Sequence, residues 1–582
     1  MPSLSPRRAP RRTFSTPAST PRRRLGLQMN PTCYHNLKLR YFALLTIVLI
    51  PLCWLGISNH GFWGTDEPRV AEIGREMALT GNLAVPTLNQ KPFLEQPPLY
   101  YAAVAATFRI LGVSDRVARV PSALFAMGGA VALFFLGAML FGPRAGFLSS
   151  FIMATSFEYF QVGHWVLVDS ALTCFVVWAM AFFMAGYTSE KNREKLLYYS
   201  LLYLSCTLAF YSKGFIGLVI PGLGIAAFLA FERNLKELRR MHVWLGILIF
   251  IALVLPWFLA LWHQGGPEYL KVVLVENHLN RFIRPGSLGH AQPFYFYLSD
   301  FPPGFLPWII LILPVLYRSF SGMRELPGTS RRGLIFAQCW FFCGFIFLSL
   351  ASGKRLLYTL PIFAPLSMLT AFYIDLVLES TTIRKMEKFF MWILGAFPLV
   401  VGAAAAPLYF HFAKGDLFEA SHGGVPITII ILSVAAVVPS LVALWYLFRA
   451  NVRRFWVING LTIFALLVLV LTLLVPMVDR YRSVAPFCEQ VKLVVGKEKP
   501  LYAYQADESL RGAIPFYTGR YVEEIDSLQR VKEILQRGDQ VFFVERDRGG
   551  ALEKQLLSTG KLSVVLRRDM DRLRSSLLLT NR

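Results

Sequence analysis

Long stretches of this chain run for twenty or more residues without a single Asp, Glu, Lys or Arg, among them Val120–Gly142, Val243–Trp262, Phe389–Ala413 and Phe455–Val478. About 20 residues of helix are needed to cross the roughly 30 Å of hydrocarbon in a bilayer. Only a helix, or a closed barrel, satisfies its backbone there. One such run would fit a buried core helix; four require a polytopic membrane protein. The composition agrees, since 16% of the 582 residues are charged where a soluble chain carries about a quarter.

Apolar runs read against breakers give thirteen spans, near 41–58, 119–141, 144–161, 166–187, 197–212, 214–231, 243–262, 304–320, 333–351, 356–378, 389–411, 427–448 and 455–478. The stretch 98–112 is apolar but short. Counting it as a span breaks the alternation of basic loops, so we read it as a juxtamembrane helix on the outer interface. The net charge of +23 would suggest nucleic acid in a soluble protein. Here the cations sit in alternate loops: Arg144; Lys191, Arg193 and Lys195; Arg233 to Arg240; Arg318 to Arg332; Arg384 to Lys388; and Arg449 to Arg454. That pattern is a topology signal and not a nucleic-acid groove; it places these loops and the N-terminus in the cytoplasm. An odd number of spans then leaves the C-terminus outside.

Residues 1–40 hold nine Lys and Arg, no Asp or Glu, and many Pro, Ser and Thr, a composition that predicts a disordered cytoplasmic tail. The tail has no apolar signal-peptide core, and Met29 is an alternative start. Residues 41–478 form the membrane domain. Beyond Val478 the composition turns soluble, with strand-like LYAY, QVFFVE and LSVVLR and a helical stretch near Ser527–Gln536. Residues 479–582 thus read as a small outer α/β domain. The expected fold is an all-α polytopic bundle with outer juxtamembrane helices and this appended domain. The seven cysteines lie mostly in apolar segments, and the Cys339/Cys343 pair reads as reduced and buried rather than as a metal site.

Polar chemistry gathers on the outer side. The loop 59–118 carries Asp66, Glu67, Arg69, Glu72 and Glu95; Glu158 and Asp169 flank the third and fourth spans; 263–303 carries His263, Glu276, His278, Arg281, Arg284 and His290. A transporter would place its ionisable groups near the midplane in two matching repeats; we find no such repeat. The asymmetry suits an enzyme working at the outer interface. Thr65-Asp66-Glu67-Pro68 is a good helix start, so Asp66 reads equally as a cap and as a functional carboxylate.

The stretch WGTDEPRVAEIGREMALTGNLAVPTLNQKPFLEQPPLYY resembles the first outer loop of the GT-C superfamily, in the lipid A aminoarabinose transferase and protein O-mannosyltransferase branch. GHWVLVDSALT, SKGFIGLVIP, ENHLNRFIRPGSLGHAQPFYFYL and SGKRLLYTLP resemble later segments of that branch in the same order, so the likeness runs over roughly residues 41–370. It implies an inner-membrane glycosyltransferase that moves a sugar from undecaprenyl phosphate to an outer acceptor, lipid A first, with a protein or another envelope glycan second. A transporter of lipid-linked sugar is the alternative from another class. It implies Asp66 as the acceptor-side carboxylate, assisted by Asp169, with Glu67 either catalytic or paired to Arg69. Arg281, Lys91, Lys213, Lys354, Tyr358 and Arg69 would serve the lipid phosphate, Arg281 foremost because a guanidinium matches phosphate bidentately. Glu95 and His278 would hold a divalent ion such as zinc. In FLEQPPLYY the family's Lys after Glu is replaced by Gln96, which brings no charge.

Overall fold

The computed structural model describes residues 31–280, 292–321, 326, 328–412, 426–496, 499–537, 540–548, 550–569 and 574–581. A helix stands at each of the thirteen expected positions. By length and composition nine of the described helices are able to cross a membrane, or ten if the bent pair Phe296–Gly304 and Trp308–Ser321 counts as one. The difference has local causes. The helix Pro143–Ala154 ends early, and a separate short helix, Phe157–Val162, follows the break at Thr155 and Ser156. The helix Ile216–Phe231 has only 16 residues, and Asn192–Lys213 begins with four polar or charged residues.

The first helix spans Pro31–Trp54, so the last ten residues assigned to a disordered tail are helical; residues 1–30 lie outside the described part. The juxtamembrane reading of 98–112 corresponds to the helix Leu99–Leu111, capped by Gly112. Its Tyr100, Tyr101, Val104, Ala105 and Phe108 are buried. They pack on the helix Asp66–Thr80, where Val104 lies close against Gly74.

Beyond the last long helices the chain forms a five-stranded sheet. After the hairpin of β1 (Thr87–Leu88) and β2 (Lys91–Pro92), its strands are β3 (Leu501–Tyr504), β4 (Glu523–Ile525), β5 (Phe542–Arg548), β6 (Ser563–Asp569) and β7 (Arg574–Thr580). Their order is β4-β3-β5-β7-β6, with β3 parallel to β4 and β5, and β7 antiparallel to β5 and β6. Helices Glu508–Thr518 and Leu528–Gln536 make the parallel crossovers.

This sheet region does not stand apart from the first outer loop. Phe62, Val70, Ile73, Tyr101 and Phe108 share one hydrophobic core with Phe487, Leu510, Ile514, Phe516 and Phe542. The helix Glu508–Thr518 lies on Asp66–Thr80 so closely that a Cβ on Gly512 would come within 2.5 Å of the Pro68 and Arg69 backbone. Any larger residue must push the two helices apart. Asn89 adds polar stitching by donating to Val522 O at 2.9 Å and accepting from Val522 N at 3.1 Å. The stretch QADESLRGAIPFYTGR thus packs on the helix Asp66–Thr80.

Candidate active site

Asp66 opens the helix Asp66–Thr80, with Glu67 beside it and Pro68 in the first turn. Acids belong there because the first turn exposes unpaired N–H groups and the positive helix end. Yet Asp66 does not act as a cap. Its Oδ1 accepts from Arg69 Nη2 at 2.6 Å and its Oδ2 from Arg355 Nη2 at 2.7 Å. Burial raises the Asp66 carboxyl, but Arg69, Arg355 and Lys213 outweigh it and leave the group below the usual carboxylate range. Asp66 is therefore a charged carboxylate whose side chain is 22% exposed.

Glu67 has a different fate. Its side chain and that of Arg119 are both fully buried, with Oε1 3.0 Å from Arg119 Nε. Glu67 also accepts from Trp63 N at 2.9 Å and Val166 N at 3.3 Å, while Arg119 donates to His60 O and Gly61 O at 2.8 Å each. This corrects both expectations for Glu67. It neither pairs with Arg69 nor is open to a substrate, because its buried carboxylate is taken up by Arg119 and by the Trp63 and Val166 backbone.

Arg69 gathers three carboxylates. Besides Asp66 it meets Glu95 at 3.3 Å and Glu508 in a short ion pair. Its side chain is 12% exposed. Glu508 comes from the sheet region, so the last part of the chain contributes a charge to this cluster.

Next to the cluster lies a cavity of about 390 Å³. Glu95, Gln96, Lys213 and Tyr358 line its polar end, and Phe215, Ile216, Val219, Leu274, Phe347 and Leu348 its apolar walls. Lys213 ends the helix Asn192–Lys213 and Asp169 begins Asp169–Thr188, each at the helix end that favours its charge. They form a short ion pair, and Lys213 Nζ stands 4.4 Å from the centre of the Tyr358 ring.

The remaining expected cations are engaged elsewhere. Lys354 donates to Gln292 O at 2.9 Å and to Ala351 O; it is a buried backbone tether, and burial lowers its ammonium. Lys91 sits on β2 and pairs with Glu524 at 2.8 Å, its side chain 63% exposed. Neither lines the cavity, which corrects their assignment to the phosphate. Arg281 lies outside the described residues, as does the side chain of His278. Two histidines of the outer side are neutral structural groups: burial, with Arg119 alongside, pushes His60 down to about 3, and burial pushes His164 down to about 4.

Two members of the site escaped the sequence reading. Arg355 neighbours Lys354 in SGKRLLYTLP, and the motif drew attention to the lysine. Glu508 lies 439 residues from its partner Arg69, and no local pattern announces such a contact.

The described donors do not form a ready metal site. Among the described residues no group of three His, Cys, Asp or Glu converges as a metal would require, and Glu95 already faces a guanidinium. No step below is routed through a metal.

Residues 95–260 match the family described as dolichyl-phosphate-mannose-protein mannosyltransferase. Over 482 residues the chain is 28% identical to an undecaprenyl phosphate-alpha-4-amino-4-deoxy-L-arabinose arabinosyl transferase of Pectobacterium atrosepticum, covering 81% of this chain and 84% of that one. A protein of the same description from Shewanella sediminis is 28% identical over 335 residues, 57% of this chain and 60% of its own length. The fold is similar to that of ArnT from Cupriavidus metallidurans bound to undecaprenyl phosphate, with TM-score 0.74, 19% identity, and coverage of 95% and 99% of the two chains.

Proposed function

We propose, from the premise that this chain is a GT-C glycosyltransferase of the lipid A aminoarabinose transferase type, that it moves a sugar from undecaprenyl phosphate to lipid A. One observation carries the reading: an apolar-walled cavity, suited to a polyprenyl tail, ends at Lys213 and Tyr358, beside the Asp66 carboxylate. The donor phosphate would lie at that polar end, against Lys213 and Arg281. The acceptor oxygen would lie at Asp66. In the transfer the acceptor oxygen bonds to the anomeric carbon, the carbon–oxygen bond to phosphate breaks, and its electron pair leaves with the phosphate. Any proton on the acceptor oxygen passes to Asp66. Cationic groups stabilise the charge that gathers on the leaving phosphate. Asp169 keeps Lys213 in place.

The likeness to 4-amino-4-deoxy-L-arabinose transferases supports a 4-amino-4-deoxy-pentose as the sugar class. The same reading places the protein in the inner membrane, and the loop charges support a cytoplasmic N-terminus and a periplasmic sheet region. A zinc ion on Glu95 and His278 is a separate proposal: chelation should then lower turnover, and added zinc should restore it.

The test is transfer by the purified protein from an undecaprenyl-phosphate aminopentose to lipid A, read by mass spectrometry. A deletion strain should lose the same lipid A species. Loss of a glycoprotein instead would move the acceptor to protein, and export of lipid-linked sugar without turnover would end the enzyme reading.

A further inference from the structure

Both oxygens of Asp66 are occupied, each by a guanidinium. A carboxylate bound this way is a weaker proton acceptor, because each oxygen already gives one of its lone pairs to a cation. The two arginines are not equivalent. Arg69 lies on the same helix, is 12% exposed, and is fixed further by Glu95 and Glu508. Arg355 is 39% exposed, and among the described residues Asp66 is its sole ion-pair partner. It stands in extended backbone just before the 3-10 turn Leu356–Thr359, between Gly353 and Tyr358, which both line the cavity.

Among the described residues the cavity is also short of uncommitted cations. Lys213 is held by Asp169, Lys354 by two carbonyls and Lys91 by Glu524, while Gln96 is uncharged. A phosphate entering beside Tyr358 would find in Arg355 a planar, permanently charged donor with its fork already at the site.

We propose that Arg355 exchanges partners when the donor binds, leaving Asp66 Oδ2 for the donor phosphate and so freeing the carboxylate only when the cavity is filled. The inference rests on the reading of Asp66 as the acceptor-side carboxylate. It adds an order of events: an empty site holds its base sequestered, and the phosphate releases it. No bond is made or broken in the exchange; one ion pair replaces another. During transfer Arg355 then sits where the leaving phosphate gains negative charge.

The exchange makes Asp66 and the phosphate competitors for one guanidinium, which is a linkage that binding alone can read. The purified full chain in detergent is titrated with undecaprenyl phosphate, following the rise in melting temperature. Arg355→Gln should raise the half-saturating concentration by about 10- to 100-fold, the size expected for one charged hydrogen-bonding contact, and Arg355→Lys should recover part of it. Asp66→Asn should tighten binding relative to the unsubstituted protein, because Arg355 is already released, and the tightening should vanish in the double variant with Arg355→Gln. Binding by Arg355→Gln equal to the unsubstituted protein, or no tightening in Asp66→Asn, overturns the exchange. If Arg355→Gln does not fold, the Asp66→Asn titration alone decides. Turnover by Asp66→Asn is a separate readout: retained turnover would remove Asp66 from the chemistry, whereas failure of the binding predictions removes only Arg355.

Discussion

Asp66 and Glu67 are neighbours in sequence, carry the same charge, and each pairs with arginine, yet one faces a cavity and the other is sealed. Successive residues on a helix are about 100° apart, so the two carboxylates leave the helix start in different directions. Asp66 meets Arg69 and Arg355 and stays 22% exposed, close to the cavity residues Glu95 and Lys213. Glu67 meets Arg119 and two backbone N–H groups inside the packed loop. The lesson is that an ion pair marks a reactive site only where one partner is still accessible. Asp66 meets that condition and Glu67 does not.

The comparison is broken most directly by exchanging each carboxylate for its amide. Asp66→Asn should lower turnover by about 10²- to 10⁴-fold, the usual range for losing a general base, with little change in melting temperature. Glu67→Gln should act on stability instead. It leaves the Arg119 charge buried without a counterion, at a cost of about 3–5 kcal/mol, read as a lower melting temperature in detergent and reduced yield. Replacing both partners with apolar residues, Glu67→Leu with Arg119→Met, should recover much of that loss. If Glu67→Gln melts normally while turnover collapses, the structural assignment of Glu67 is wrong.

The sequence carried a large part of this picture. Uncharged runs located the long helices, because hydrocarbon tolerates few exceptions. Asp66, Asp169, Lys213 and Tyr358 were legible as members of ordered motifs, and the structure brings them to one place. Residues whose role depends on partners far along the chain were not legible. Lys91 reaches Glu524, Glu508 reaches Arg69, and Arg355 reaches Asp66; motif spacing says nothing about such pairings. The thirteen expected spans compare with nine or ten membrane-length helices among the described residues for a related reason. Apolar composition does not report a break such as that at Thr155 and Ser156, which the buried loop geometry imposes.

The guanidiniums around Asp66 also set a pH signature. A carboxyl whose folded pKa lies below its unfolded value stabilises the fold above the unfolded pKa. It loses that contribution as pH falls through the folded value. Asp66 belongs to this class. The acid limb of kcat/KM should therefore lie below the ordinary Asp range near ~3.9. Arg69→Gln removes one of the two guanidiniums, so burial counts for more and the limb should move to higher pH. A limb that stays in place would mean that Arg69 does not govern the charge on Asp66, and the contrast with Glu67 would rest on burial alone.

The smallest expected effect sharpens the comparison from the other side. Lys91 is a cation of the first loop whose position near Glu95 in the chain suggested the phosphate, but its ammonium extends to Glu524 in the sheet region and is largely solvated. An exposed pair of this kind contributes about 0–1 kcal/mol and is screened by salt. Lys91→Ala should therefore leave turnover and undecaprenyl-phosphate affinity close to those of the unsubstituted protein, with at most a slight, salt-dependent drop in melting temperature. The measurement is informative because Arg355→Gln, which removes one charge at the rim, is expected to weaken the same binding strongly. Tenfold weaker binding in Lys91→Ala would return Lys91 to the phosphate. It would also show that the loop rearranges when the donor enters, since the contact with Glu524 has to open before Lys91 can turn toward the cavity.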